Sequence, residues 1–234
     1  MKDINIYINE ALKINKDTAS KFNQYTEHPS TKDELREILK ERLKKDKDAD
    51  LNDIDVSNVN KMVMLFDNLD PHNIKIDRWD MRNVTSTYGM FLSCMNFNAD
   101  ISNWDVSSVE NMGFMFSGCY KFNSNLSKWD VSSVENMNSM FASCRTFSSD
   151  ISNWDVSNVE DMSCMFYDCN NFNSDISNWD VSNVKKMYYM LSRCYKFNHD
   201  LSKWGNTRKF DSAITGCMFK GCSSLKTLPS WYKE

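Results

Sequence analysis

One tryptophan recurs every 25 residues, and this spacing restricts the fold more than any other feature of the 234-residue chain. Ile54 holds the equivalent place one period before the first of these indoles. The recurring residues are Trp79, Trp104, Trp129, Trp154, Trp179 and Trp204. Cysteine keeps the same period from Cys94 to Cys194, and phenylalanine keeps it from Phe97 to Phe197. A fixed period of about 20 to 50 residues indicates a solenoid or a propeller, in which neighbouring units share one core.

Each unit carries two hydrophobic patterns. Ile101-x-x-Trp104-x-Val106 is typical of a short strand. The residues that follow step by three or four positions, as on one face of a helix: Val109, Met112, Phe116 and Cys119. Ser107 and Glu110 form a capping-box pair just ahead of that face. We therefore expect an α/β fold, a leucine-rich-repeat-like solenoid of short parallel strands and short helices, with stacked indoles between the two layers.

The two ends of the chain depart from the repeat. Residues 1–50 lack it and predict a helical N-terminal cap, with a capping box at Thr31 and Glu34 and a shorter helix around Ile8 to Ile14. The apolar stripe of the cap helix comprises Leu35, Ile38, Leu39 and Leu43. Residues 51–234 are predicted to form the solenoid, ending in an atypical capping unit at about 205–234, where Gly205 replaces the usual aspartate.

Charge and hydropathy limit the classes of function. The formal net charge is −4, which argues against direct nucleic-acid binding because such proteins need a basic face. No signal-peptide core follows Met1, and no apolar run is long enough to cross a bilayer. We therefore predict a cytoplasmic protein that does not insert into membranes and whose eight cysteines are reduced.

The sequence offers no reaction centre. The regular cysteines are 25 residues apart, whereas zinc sites use close pairs, and the three histidines follow no ligand pattern. With six glycines, the chain has no phosphate-cradling loop and no nucleophile elbow. We expect no metal, no cofactor and no enzymatic activity, and the oligomeric state is left open.

Aspartates directly follow the tryptophans and should form an exposed column, which we call column A: Asp80, Asp105, Asp130, Asp155 and Asp180. Each carboxylate could accept the backbone N–H two residues on and fix a turn, or the column could form an acidic face for a basic partner. Variable polar residues rim this face: Asn103, Lys128, Asn153, Asn178 and Lys203. A second polar set, column B, is predicted to make turns: Asp100, Asn125, Asp150, Asp175 and Asp200.

Aromatic residues at variable positions of the repeat are a second candidate surface. They are Tyr88, Phe114, Tyr188 and Tyr189. Exposed tyrosines are frequent anchors of protein interfaces, although rings that merely lie over the helices would give the same pattern.

The repeat resembles the BspA-like bacterial surface-protein repeat, a relative of the leucine-rich repeat, over about residues 54–204. The resemblance is carried by the unit Met165-Phe166-x-x-Cys169-x-x-Phe172-Asn173-x-Asp175-Ile176-Ser177-x-Trp179-Asp180-Val181-Ser182. It implies a ligand-binding role, often at the bacterial surface or in adhesion to host proteins.

The leading hypothesis is a non-enzymatic scaffold that holds or blocks a partner protein, with a basic surface, on its repeated surface. Two alternatives stay open. One is a surface adhesin exported by an unrecognised route. The other is an inhibitor encoded by a phage or mobile element, which presents acidic columns to a nucleic-acid-handling defence enzyme in place of phosphates.

Overall fold

The computed structural model describes residues 25–206 and 209–233, and the helix predicted around Ile8 to Ile14 lies outside them. Each 25-residue repeat forms one turn of a solenoid. Successive turns are joined by isolated parallel bridges at one position of the repeat: Lys61, Ser86, Asn111, Asn136, Asp161 and Lys186. Two further bridges join Glu27 to Ile54 and Asp50 to Lys75 near the N-terminal end.

The predicted α/β solenoid of parallel strands and helices is wrong. Across the described residues no β-strand extends beyond an isolated bridge, and the repeats contain no helix between Leu51 and Leu201. The solenoid is built from consecutive tight turns, whose side chains are nevertheless buried in the predicted pattern.

The predicted strand is replaced by turns because two aspartates bend the chain there. The Asp100 carboxylate accepts from the N–H of Ser102, and the Asp105 carboxylate accepts from the N–H of Ser107. Between them the N–H of Trp104 donates to the carbonyl of Ile101 at 3.2 Å, which is the bond of a β-turn. Side-chain acceptors of this kind compete with ladder hydrogen bonds, so no extended strand forms.

The predicted helix is replaced by a segment whose N–H groups bond in two alternating directions. We call residues 111–119 and their equivalents in the other repeats the turn segment. The N–H groups of Met115, Ser117 and Cys119 donate three residues back along the chain. Those of the intervening residues donate to the next repeat, as in the bonds from Phe114 to Asn138 at 2.8 Å and from Phe116 to Met140 at 2.9 Å.

Left-handed backbone at two places in each turn segment makes this alternation possible. Phe114 has a φ of 57° and Gly118 a φ of 78°, and every described repeat places positive φ at both equivalent positions. A helix needs consecutive right-handed residues and bonds that reach four residues back. Two left-handed residues four apart therefore exclude it, while keeping Met112, Met115 and Phe116 buried.

The core contains three columns of stacked aromatic rings, and the predicted indole column is confirmed. Trp104 stacks on Trp79 at 6.4 Å and on Trp129 at 6.5 Å. Two phenylalanine columns lie beside it. The ring centres of Phe116 and Phe122, one from each column, are 4.1 Å apart. Each regular indole N–H also donates to a carbonyl 28 residues earlier, at 2.8 to 3.2 Å. The tryptophans thus fill the core and give a second donor to a carbonyl that already accepts a turn bond.

The cysteine column has a comparable role. All eight cysteines are free thiols, and those of the column are buried. The Cys119 thiol donates to the carbonyl of Phe91 at 3.0 Å, and the Cys144 thiol donates to that of Phe116 at 3.0 Å. Burial raises the pKa of the column thiols, to about 12 at Cys94. Burial likewise raises the pKa of Cys222, which follows the column in the last turn segment, to about 11. They are therefore held protonated inside the core.

Native thiol reactivity should separate two cysteines from the other six. Cys164 and Cys217 are half-buried and the other six cysteines are buried, so the two groups differ in access to the reagent; burial raises the pKa of the Cys164 thiol as well. Only thiolates react with a disulfide reagent, so we expect two accessible thiols in the folded protein and eight after denaturation. Titration with Ellman's reagent, followed by peptide mapping, measures this. Rapid labelling of Cys119 or Cys144 in the native protein would contradict the structural role of the column.

Helix α1, Lys32–Lys45, covers the N-terminal end of the core. Thr31 accepts from the N–H of Glu34, as the capping box predicts, and the helix buries Leu35, Leu39 and Leu43. The predicted apolar stripe is confirmed, with Ile38 at its partly buried edge.

One side chain of this end, Arg36, replaces two of the bonds that a preceding repeat would make. Leu65 and Asp67 hold the places of Met140 and Ala142, whose carbonyls accept from the repeat before. The Arg36 guanidinium donates instead to the main-chain carbonyls of Leu65 at 2.6 Å and Asp67 at 2.5 Å. Nearby, the Lys47 ammonium donates to the carbonyl of Leu69.

At the other end, a 3₁₀ helix at Ser202–Asn206 and helix α2, Ser212–Thr215, precede the last turn segment. Trp231 stacks on Trp204 at 6.3 Å, and its indole N–H donates to the carbonyl of Leu201 at 2.8 Å. Gly205 allows this approach, because a Cβ there would lie 2.6 Å from the Trp231 ring. The glycine that replaces aspartate in the sequence thus makes room for the final indole.

Candidate binding surfaces

Column A consists of turn-forming carboxylates that stay exposed. In every member, Oδ1 accepts from the backbone N–H two residues on, at 3.0 to 3.3 Å. The turn-forming interpretation is therefore confirmed. Asp105, Asp130, Asp155 and Asp180 are nonetheless exposed, and Asp80 is paired with Arg82 at 2.6 Å. Since the turn occupies one oxygen, making a turn and presenting charge are compatible roles.

Column B repeats this geometry five residues earlier in each unit. Its members accept from the N–H of a serine two residues on, at 2.8 to 3.0 Å, so their predicted turn-making role is confirmed. All five side chains are exposed. Asn125 holds its turn with an amide oxygen at 3.0 Å, which shows that the turn does not require a charge.

The turn bonds also lower the pKa of several carboxylates in the columns. Hydrogen bonds from the side chain and then the backbone of Ser132 lower the pKa of Asp130, and those of Ser157 do the same for Asp155. In column B, the backbone and then the side chain of Ser102 lower the pKa of Asp100. Lowered pKa values keep these carboxylates ionised throughout the physiological range. The two columns form an anionic stripe along the repeats, in which Asn125 is the neutral member.

The predicted rim residues are all exposed, and the structure ties three of them to neighbouring repeats. The Asn153 amide donates to the carbonyl of Ser127 at 2.9 Å, and the Lys203 ammonium donates to the Asn178 amide oxygen at 2.8 Å. Asn103 and Lys128 make no side-chain hydrogen bond with another described residue. The rim is thus polar and partly cross-linked beside column A.

The four predicted aromatic residues lie on turn segments but form two separate groups. Tyr88 and Phe114 are partly buried and pack edge to face at 5.5 Å, with the Tyr88 ring close over Gly113. Tyr188 and Tyr189 are 37% and 38% exposed and touch each other edge to face at 6.5 Å. The first pair mainly covers its own backbone, and the second pair is open to solvent.

A third column of turn-forming polar residues escaped sequence reasoning. Asn111, Asn136 and Asp161 accept from the N–H two residues on, at the start of each turn segment. Their period of 25 residues was visible in the sequence, but the helical interpretation of that segment concealed its meaning.

The described residues give no sign of a metal or a membrane span. Among them, no three His, Cys, Asp or Glu side chains are grouped so that they could hold a metal ion. None of the helices in residues 25–206 and 209–233 combines the length and apolar character needed to cross a bilayer.

Comparison with protein families relates this architecture to known sequences. Two overlapping segments, residues 34–149 and 115–231, match the family described as "Mycoplasma protein of unknown function, DUF285". Together they span most of the chain. The chain belongs to the DUF285 family. The search of curated proteins and the search of solved structures found no match.

Membership of the DUF285 family indicates a protein-interaction or surface role, because the matched segments consist of repeats that present an extended exposed surface. The family description names no ligand and no leucine-rich repeat, so the BspA-like similarity stays a resemblance. In this DUF285 chain the aspartates of column A recur in five consecutive repeats.

Proposed function

We propose that this protein is a non-enzymatic scaffold whose two acidic columns hold a partner protein with a basic surface. The observation that carries the proposal is the state of column A, where Oδ1 is held by a turn while the side chain stays exposed. Carboxylates fixed in this way lose little side-chain entropy when a cation approaches, which favours binding.

The distance between stacked repeats also favours binding of a basic partner. Repeats joined by parallel bridges lie about 4.8 Å apart, so neighbouring carboxylates of a column repel one another. A basic partner would relieve this repulsion along several repeats at once. Electrostatic complementarity of this kind mainly raises the association rate and suppresses wrong partners.

We propose that the protein is not an enzyme because the carboxylates of a column have equivalent surroundings. Catalytic carboxylates work as pairs whose surroundings push their pKa values apart. Asp130 and Asp155 have matching serine partners, and the pKa of both shifts in the same direction. We also keep a cytoplasmic location in the proposal, since eight free thiols suit a reducing compartment.

Replacing Asp105, Asp130 and Asp155 together with asparagine tests the proposal. Asn125 already holds such a turn, so the free energy of unfolding should change by less than about 1 kcal/mol. The partner, first isolated by pull-down from the native cytoplasm, should associate with the variant more slowly and with most of its salt dependence lost. Stopped-flow kinetics at several ionic strengths measures both quantities.

A matched control removes three acidic charges from another exposed surface. Asp33→Asn, Glu37→Gln and Glu41→Gln on α1 should leave the association rate and its salt response nearly unchanged. Equal salt responses for the column variant and the native protein would show that the acidic columns serve only the fold. Recovery of a nuclease or of host matrix proteins would instead favour the inhibitor or the adhesin.

A further inference from the structure

The last turn segment, residues 214–222, is joined to the repeat before it by the usual bonds. Four N–H groups of that repeat donate to its carbonyls at 2.8 to 3.1 Å. The pairs are Met187 with Ile214, Tyr189 with Gly216, Leu191 with Met218 and Arg193 with Lys220. The carbonyls of the last segment are therefore used in the same way as in every other repeat.

The N–H groups of the last segment have no such partner. Cys217, Phe219 and Gly221 hold the places of Tyr189, Leu191 and Arg193. Their backbone conformation is preserved, with a φ of 54° at Cys217 and 82° at Gly221, so their N–H groups are directed as in the earlier repeats. Within residues 25–206 and 209–233, no group accepts a hydrogen bond from any of the three. They form a row of unpaired donors on alternate residues, which we call the open row; Gly221 is exposed and Cys217 half-buried, whereas Phe219 is buried beside the Tyr232 ring at 4.9 Å.

At the N-terminal end of the solenoid, a side chain satisfies main-chain groups that lack a neighbouring repeat. There the groups that lack a neighbouring repeat are carbonyls, and Arg36 donates to two of them. Main-chain groups withdrawn from water are nearly always paired, and exposed rows of them attract another chain. The open row at the C-terminal end is therefore a place where an incoming chain can add hydrogen bonds.

The side chains around the row are basic and aromatic. Residues 185–196 contain four basic residues and no acidic one, whereas the equivalent residues 160–171 contain three acidic residues and no basic one. Lys220 and Arg193 form no ion pair with another described residue, and the Arg193 guanidinium lies 5.6 Å from the Tyr167 ring centre. Tyr189 is 38% exposed beside them.

The repeat itself does not demand these cations. The residue equivalent to Lys220 is serine in two earlier repeats, Ser117 and Ser192. The residue equivalent to Arg193 is serine in two others, Ser93 and Ser143. The fold thus accepts a neutral residue at both places. The charges of Lys220 and Arg193 are therefore not required for the stacking of repeats, whereas Lys185 and Lys186 pair with Glu160 and Asp161 of the preceding repeat.

We propose that this end binds an acidic polypeptide segment in an extended conformation. Alternate carbonyls of the segment accept from Cys217, Phe219 and Gly221, and its carboxylates face Lys220 and Arg193. A polypeptide is favoured because in each of the five turn segments from residue 86 to residue 194 the same row of donors is filled by main-chain carbonyls on alternate residues. Addition of an extended chain to an open edge is a recurrent mode of peptide recognition. This site has the opposite charge to the acidic columns and is independent of the proposed function.

The test uses a fluorescent peptide of alternating glutamate and valine and measures fluorescence anisotropy with the whole chain. We expect salt-sensitive binding that weakens about tenfold or more in the variant Lys220→Ser with Arg193→Ser. Because serine is native at both positions of the repeat, this variant should fold normally, which thermal melting checks. The control Lys121→Ser removes an exposed cation from another repeat and should bind like the native protein.

A second probe examines the main-chain bonds. An analogue of the peptide with ester linkages at alternate positions keeps the charges but has weaker carbonyl acceptors, and it should bind about tenfold more weakly than the amide peptide. Equal binding of the two peptides, or no binding of either, would overturn the proposal. So would preferential binding of a thymidine oligonucleotide, or salt-sensitive self-association of the protein that the peptide does not inhibit.

Discussion

Replacing Trp129 with alanine is expected to lower the free energy of unfolding by about 3–5 kcal/mol. The indole is 4% exposed, stacks on Trp104 at 6.5 Å and donates to the carbonyl of Ile101 at 3.1 Å. Alanine removes the ring from a close-packed column and one of the two donors to that carbonyl, which keeps its turn bond from the Trp104 N–H, so the cavity supplies most of the cost. Chemical denaturation followed by circular dichroism measures the difference.

Two further variants divide this loss into its parts. Trp129→Phe keeps a stacked ring but loses the indole N–H, and we expect a loss of about 1–2 kcal/mol. Trp231→Ala should cost less than Trp129→Ala, because Trp231 is only partly buried at the end of its column. Near-native stability of Trp129→Ala would show that the stacked indoles do not hold the core together.

Replacing Arg36 with methionine is expected to cost about 2–4 kcal/mol, a large effect for a residue outside the repeats. Its guanidinium donates to the carbonyls of Leu65 and Asp67, which no preceding repeat satisfies. Methionine retains the aliphatic bulk of the side chain but cannot donate, so these carbonyls lose their charged donor. Denaturation, together with hydrogen exchange of the first repeat, measures the effect.

The control is Lys40→Met on the same helix. Lys40 is exposed and, among the residues that the structure describes, forms an ion pair with Glu37 alone, at 2.5 Å, so its loss should change the free energy of unfolding by less than about 0.5 kcal/mol. If Arg36→Met and Lys40→Met proved equally mild, the carbonyls at this end would have to be satisfied by water.

Residue burial in the repeat was predictable, and its backbone was not. Val109, Met112, Phe116 and Cys119 are buried, as the helical spacing requires. The alternation of right-handed and left-handed residues in the turn segment places the same side chains inward, so spacing alone cannot distinguish it from a helix. The deciding feature is positive φ at residues such as Phe114 and Tyr189, which L-residues rarely adopt and which no local propensity reveals.

Of the candidate sites, column A and its turns were predictable from sequence, because the aspartate and the N–H that donates to it are only two residues apart. The open donor row at Cys217, Phe219 and Gly221 depends on which neighbour a backbone group has lost, so it could be seen only once the repeats were stacked.

The hydrogen bonds between repeats run in both directions and stop at the adjacent unit. The Trp129 indole reaches back to Ile101, and the N–H of Phe114 reaches forward to Asn138. Removal or duplication of one 25-residue unit would therefore leave the remaining units with partners of the same kind. A gene encoding such a chain can lengthen or shorten by recombination between its own copies of the unit, while the two ends and the fold between them are conserved.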